Sequence, residues 1–223
     1  MSALFTALPA PVDLGWTPRP VSSADIVVTP LGDGRLEVRI DHAPLTGITT
    51  AMLGWWFQTF DSIVTWRGHT MPAYRLWHTA DHIDVRPRRS ADGRIAPGCR
   101  LNIREVFGRD PRFAADIRAV IHRWDSRGIG FHHDVLGHRV VELDHAFTDS
   151  PSGVLYRTCM RAGVGNGPLR SLINRLAVKR RFGPEAVTAW TRHNIEEVGF
   201  FTDFLPELYA AQAIAPRAST NAP

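Results

Sequence analysis

The segment Pro184–Phe204, PEAVTAWTRHNIEEVGFFTDF, decides how the rest of the chain must pack. Gly183 ends the helical pattern before it, and Pro184 opens a new one at the first-turn position, where a missing N–H does no harm. Val187, Trp190, Val198, Phe201 and Leu205 make one apolar stripe, and Pro206 is expected to kink or restart the helix. A long helix with one apolar face needs a broad surface to lie on.

Strands upstream can supply that surface. Residues 35–40, RLEVRI, alternate polar and apolar after a Gly-Asp-Gly turn, as a half-buried strand does. Thr50–Phe60 reads as a helix capped by Thr49 or Thr50, with Met52, Trp55, Trp56 and Phe60 recurring at three to four. Ile83–Arg86 and Arg100–Phe107 read as strands around a polar loop at 89–98. Val135–Phe147 and Val154–Ala162 read as a second hairpin around Asp149–Gly153. Leu169–Phe182 is an amphipathic helix with a basic end. The order predicts an α+β helix-grip fold, a curved antiparallel sheet around a long C-terminal helix. It predicts an extended arm over residues 1–24, one domain over 25–212 and a flexible tail over 213–223. Such a grip encloses a cavity of the kind that takes small molecules.

Composition narrows the function classes. The chain has 223 residues, a net charge of +4, 44% hydrophobic and 22% charged residues, which suits a single globular domain. The basic runs Arg86–Arg89 and Lys179–Arg181 are short and lack the aromatic interleaving of nucleic-acid modules, so they read as solvated. No apolar run is long enough to span a bilayer, and no secretory signal is evident. Cys99 and Cys159 have no metal-ligand spacing and read as reduced thiols. The expectation is a cytoplasmic protein with no nucleic-acid or membrane partner and a homodimer as the base-rate assembly.

The chemistry concentrates in Arg192–Val198. His193 and Glu197 stand four apart, on one helix face, where both can reach one metal ion; a solvated surface pair is the alternative. Glu196, three residues on, competes with Glu197, but Glu197 lies one turn before Phe201 on the buried stripe. Glu105 shares a strand face with Leu101, Ile103 and Phe107, a costly place for a carboxylate unless it is metal-bound or salt-bridged to an arginine. His78 and His82 are the imidazoles available at a strand start. His145 shares a face with Val141 and Leu143 and would suit proton transfer, or be a satisfied core histidine. His132, His133 and His138 fall in a stretch that reads as irregular surface, with His138 a weaker candidate for the same proton-transfer role.

Taken in order, Met52–Phe57, Tyr74-x-x-Trp77-His78-x-x-Asp81-His82, Glu105, His145 and His193–Glu197 resemble the diacetylphloroglucinol hydrolase and phloretin hydrolase family over roughly residues 35–210. The resemblance implies a helix-grip fold and Zn2+ bound by two His and two Glu. It also implies hydrolysis of a carbon–carbon bond beside a ketone, with an aromatic or alicyclic ketone as substrate. By motif it makes His82, Glu105, His193 and Glu197 the zinc ligands, with His78 the runner-up to His82. His145 matches the essential non-ligand histidine, and Tyr74 the substrate-contacting tyrosine. His78 and Trp55 are further expected substrate contacts, with Trp56, Trp77 and Phe201 lining an apolar pocket or simply filling the core. Met160 or a neighbour stands where the family has a second tyrosine, and the loop between His82 and Glu105 is shorter than the family's.

Overall fold

The computed structural model describes residues 8–167 and 170–214. The described residues form strands β1 (Ala24–Pro30), β2 (Leu36–His42), β3 (Ile63–Trp66), β4 (His69–Pro72), β5 (His82–Arg88), β6 (Arg100–Val106), β7 (Ala114–Asp125), β8 (Gly128–Val135), β9 (His138–Ser150) and β10 (Gly153–Ala162). The helices are α1 (Thr50–Thr59), α2 (Ala73–Trp77), α3 (Arg170–Arg181) and α4 (Pro184–Ile214). Eight strands make one antiparallel sheet in the order β1-β2-β10-β9-β8-β7-β6-β5, and β3 and β4 pair apart from it. The sheet closes around α4, which is the helix-grip architecture.

Burial explains the grip. The early part of α4 sets Val187, Trp190 and Ile195 against Val38 and Ile40 of β2 and Met160 of β10. Its later part sets Val198, Phe201, Phe204 and Leu205 in the larger core with Trp56, Phe57, Trp77 and Phe147. Each fully buried aromatic or aliphatic side chain contributes roughly 1.5–3 kcal/mol. That packing carries α4 through Pro206 as one helix, so the expected restart does not occur. Proline's φ suits a helix, and the one lost hydrogen bond is offset by buried Phe204, Leu205 and Leu208. Thr49 caps α1 by accepting from the Met52 N–H at 3.3 Å. The buried set of α1 is Leu53, Trp56 and Phe57, with Phe60 buried at its C-cap, while Met52 and Trp55 are only partly covered.

Three other expectations change. Residues 114–125 and 128–135 form two bulged strands, so His132 and His133 belong to β8 rather than to irregular surface. Val135 ends β8, and a two-residue turn at Leu136–Gly137 separates it from β9. The arm is a strap where it is described: Arg75 donates to the Ala10 carbonyl, Thr79 to that of Val12 and Arg109 to that of Pro9. Trp16 packs on Trp66, Phe200 and Phe204. The expected tail falls mostly outside the described residues. No described helix is long and apolar enough to cross a membrane.

Candidate metal centre

The β5–β6 pairing sets His82 opposite Glu105, and α4 presents His193 and Glu197 one turn apart. His82 Nε2 lies 3.4 Å from Glu197 Oε2 and 3.6 Å from Glu105 Oε1. His193 Nε2 lies 3.8 Å from Glu197 Oε2. Donor atoms around a tetrahedral zinc sit about 3.3 Å apart, so these separations are close to a ligand set. His82, His193 and Glu197 each offer an atom within 4.8 Å of the other two, and all three side chains are buried. Glu105 stands beside the trio rather than within it, its Oε1 accepting from the Tyr74 O–H. None of its recorded partners is an arginine among the described residues.

The outer hydrogen bonds orient the imidazoles. His82 Nδ1 lies 2.7 Å from the Tyr74 carbonyl, which can only accept, so Nδ1 carries the proton and Nε2 presents a lone pair. That Nε2 is buried and makes no hydrogen bond among the described residues, an orphan that a metal would satisfy. Burial, partly opposed by the charge of Glu105, holds His82 down to about 3, so it is neutral as a ligand must be. His193 Nδ1 meets Asp81 Oδ2 at 3.0 Å, the carboxylate–histidine arrangement that turns Nε2 toward a metal. Asp81 is fixed in turn by the Gly108 N–H at 2.9 Å. The Asn194 amide donates to Glu197 Oε1 at 2.6 Å, leaving Oε2 toward the histidines.

Charge points the same way. Burial alone would lower His193, but the bond to Asp81 and the charges of Glu197, Glu105 and Asp81 outweigh it and raise His193 to about 9. Burial would likewise raise Asp81, yet His193, with His78 and Gly108, brings it to about 2. Three carboxylates therefore surround one interior position that calls for positive charge. A proton on His193 meets that demand without a metal; a divalent cation would meet it more fully.

His78 is a positioning group. Its Nδ1 accepts the Asp81 N–H at 3.2 Å, and Nε2 lies 3.3 Å from Glu196 Oε2. His78, Asp81 and His193 also cluster at metal-ligand spacing, but these hydrogen bonds already engage both nitrogens of His78 and Nδ1 of His193. Glu196 thus partners His78, and Glu197 faces the trio. A third cluster, His122, Glu142 and Asp144, lies toward the outer face of the sheet. Its carboxylates already answer Arg139, Arg161 and Arg123, and a cation there would meet that positive charge.

His145 is 3% exposed on β9. It pairs across the ladder with Thr158, whose Oγ1 lies 3.4 Å from its Nδ1 and 3.1 Å from His42 Nε2. Burial holds His145 down to about 4 against the charge of Glu197. Tyr74 stacks flat on His82 at 4.0 Å. Trp56, Trp77 and Phe201 pack mainly on one another as core. Trp55 is not brought to the cluster with them; it lies one ring further out, against Trp56 and Tyr209.

The sequence reading assigned no role to Asp81, Asn194, Thr158 or Tyr156. Asp81 stands in the motif that carries the resemblance, one residue before a candidate ligand, and that placement was its signal. Tyr156 bears on the expectation at Met160. It lies four residues earlier on the same face of β10, 2% exposed, with its ring 5.7 Å from that of His145. Its hydroxyl is buried and unpartnered among the described residues.

No family model and no curated protein matches the chain. Among solved structures it is similar to a protein of unknown function from Staphylococcus aureus, at 8% identity over 74% of this chain and 94% of that one, TM-score 0.44. It is also similar to a START superfamily protein from Mycobacterium smegmatis, at 12% identity over 74% and 98%, TM-score 0.38. A polyketide-cyclase-like protein from Corynebacterium glutamicum follows at 14% identity over 80% and 88%, TM-score 0.33.

Proposed function

We propose that this chain is a zinc-dependent hydrolase acting on a carbon–carbon bond beside a ketone. One observation carries the metal: His82 Nε2, an orphaned lone pair, meets His193 and Glu197 within 4.8 Å, and each histidine's other nitrogen is already engaged. His82, His193 and Glu197 would hold the ion, with Glu105 adjacent. The bond to be cleaved comes from the motif resemblance.

Zinc so held would supply a Lewis acid for the ketone oxygen and lower the pKa of water toward neutrality. The remaining steps belong to the chain. Water oxygen adds to the ketone carbon, the carbon–carbon bond breaks with its electron pair leaving on the ring carbon, and that carbon takes a proton. His145, neutral at pH 7, can accept the proton of water. Held by burial at about 4, it is a weak base, and once protonated it gives that proton readily to carbon. The Tyr156 hydroxyl, unpartnered beside His145, can donate to the oxygen on which the carbanion delocalises as enolate. Thr158 holds His145 in orientation.

A second reading, a helix-grip small-molecule binder without metal, has its own support. Asp81 with His193, Tyr74 with Glu105 and Asn194 with Glu197 are already paired in a metal-free network. Elemental analysis of protein purified without added metal separates the two. Stoichiometric zinc that disappears in His82→Ala and His193→Ala supports the enzyme; metal-free wild type gives the site to the binder. The zinc-loaded protein is then offered an acylphloroglucinol and a cyclic 1,3-diketone side by side, with carboxylic acid release measured. Turnover of neither defeats the carbon–carbon assignment.

A further inference from the structure

Helix α3 carries Arg170, Arg175, Lys179, Arg180 and Arg181 and no acidic residue. All five are exposed, and none is ion-paired among the described residues. Elsewhere arginines such as Arg35, Arg104, Arg157 and Arg161 each meet a carboxylate. Between these charges stand Leu172 at 57%, Ile173 at 47% and Leu176 at 68% exposure. At 3.6 residues per turn, Leu172 and Leu176 project side by side, with Arg175 and Lys179 along one flank and Arg180 along the other.

The rotation of α3 is fixed. Asn174 is fully buried on the opposite face. It accepts from the Val164 N–H at 2.7 Å and donates to the carbonyls of Val164 at 3.0 Å and Asp33 at 3.1 Å. Gly163 leaves room for it, since a Cβ there would come within 2.9 Å of Asn174 Oδ1. The leucines therefore cannot roll inward without stranding three backbone groups. The β8–β9 turn adds a further apolar tip. Leu136 is 96% exposed at φ +52°, a position that suits Asn, Asp or Gly and strains leucine. Val135, Leu136, Gly167, Arg170 and Ile173 line one groove of about 360 Å³, so the tip adjoins the Ile173 side of the helix, next to the exposed leucines.

We propose that this face docks on the surface of an anionic lipid bilayer. Aliphatic residues flanked by unpaired cations match the boundary between acyl chains and negative headgroups. A protruding turn-tip leucine fits a deformable apolar phase better than the preformed pocket a folded acidic protein would have to offer. A second copy of the chain would bring ten like charges together with no acidic residue on either helix to answer them. The expectation of no membrane partner rested on the lack of an apolar run long enough to span a bilayer, which bears on a span and not on a surface contact.

The test is co-sedimentation of the full chain with phosphatidylcholine vesicles, with and without phosphatidylglycerol, in low and high salt. The expected result is binding to the phosphatidylglycerol vesicles alone, weakened by salt. A Leu136→Ser, Leu172→Ser, Leu176→Ser variant should weaken it about tenfold or more, and Arg175→Glu with Arg180→Glu should abolish it. Unchanged thermal midpoints are expected, because every substituted side chain is exposed, and they show that the fold is intact. No sedimentation with anionic vesicles overturns the proposal and leaves the face to an acidic protein. Binding that both variants retain overturns it as well. So does a dimer, seen by light scattering, that the leucine variant dissolves.

Discussion

At the scale of single residues, the site depends on what lies behind each ligand. Asp81 stands outside the His82, His193 and Glu197 trio, yet it orients His193 and helps raise its pKa. Asp81→Asn is expected to weaken zinc binding by about 10–100-fold, measured by competition with a chelating dye, because outer-shell carboxylates typically carry that much. Since His193 sits at about 9 without metal, it is protonated at pH 7.5 and must lose that proton to bind zinc. Calorimetric titrations in two buffers of different ionisation enthalpy should show about one proton released per ion; none released would exclude His193 as a ligand. Tyr156→Phe is expected to lower kcat by about 100-fold or more at unchanged zinc content, as loss of one donor to a developing oxyanion does. This is checked by steady-state rates on a ketone that the proposed activity cleaves.

At the scale of elements, the readable ones were those whose pattern is local. The stripe of α4, the Thr49 cap and the alternation of β6 all follow from neighbours three, four or two residues away. β7 and β8 escaped because bulges between Ile121 and Arg123 and between His133 and Asp134 break the period of two. β1 escaped because most of its side chains are exposed at the sheet edge, and the β3–β4 turn because Arg67 and Gly68 take positive φ without an Asn-Gly or Asp-Gly signature. The attachment of α3 was equally unreadable, since Asn174 bonds to backbone at positions 33 and 164. Asn174→Ala should cost about 1–3 kcal/mol in urea denaturation, by leaving buried backbone groups unpaired. The same substitution should speed amide hydrogen exchange in α3 before the sheet is affected.

At the scale of the whole molecule, buried histidines give the fold a pH window. His42 and His82 are held to about 3 and His145 to about 4, chiefly by burial. Each lies below its unfolded value near 6.5, so its contribution is complete above 6.5 and is lost as pH falls toward the folded value. The slope is up to about 1.4 kcal/mol per pH unit per histidine. His193 runs the other way: raised to about 9, it contributes fully below 6.5 and loses that contribution as pH rises through 9. Metal-free protein should therefore be most stable near pH 6.5, losing stability below it through His42, His82 and His145 and between about 6.5 and 9 through His193, read from urea midpoints across pH. A midpoint that does not fall between pH 6.5 and 4 would mean these imidazoles are solvated.

The sequence alone determined that a long amphipathic helix must lie on an antiparallel sheet, and that His193 and Glu197 share a face of it. Helical and strand periods are set within a few residues, so the chain states them directly. Only the tertiary structure decided which partners complete the site. That His82 rather than His78 faces the pair, that Glu105 stands just outside it and that Tyr156 supplies the buried hydroxyl depend on strand register and on hydrogen bonds between distant segments. The exposed face of α3 is of the same kind. Whether an apolar side chain is core or surface depends on how its helix is pinned, and here one asparagine bonded across the fold sets that rotation.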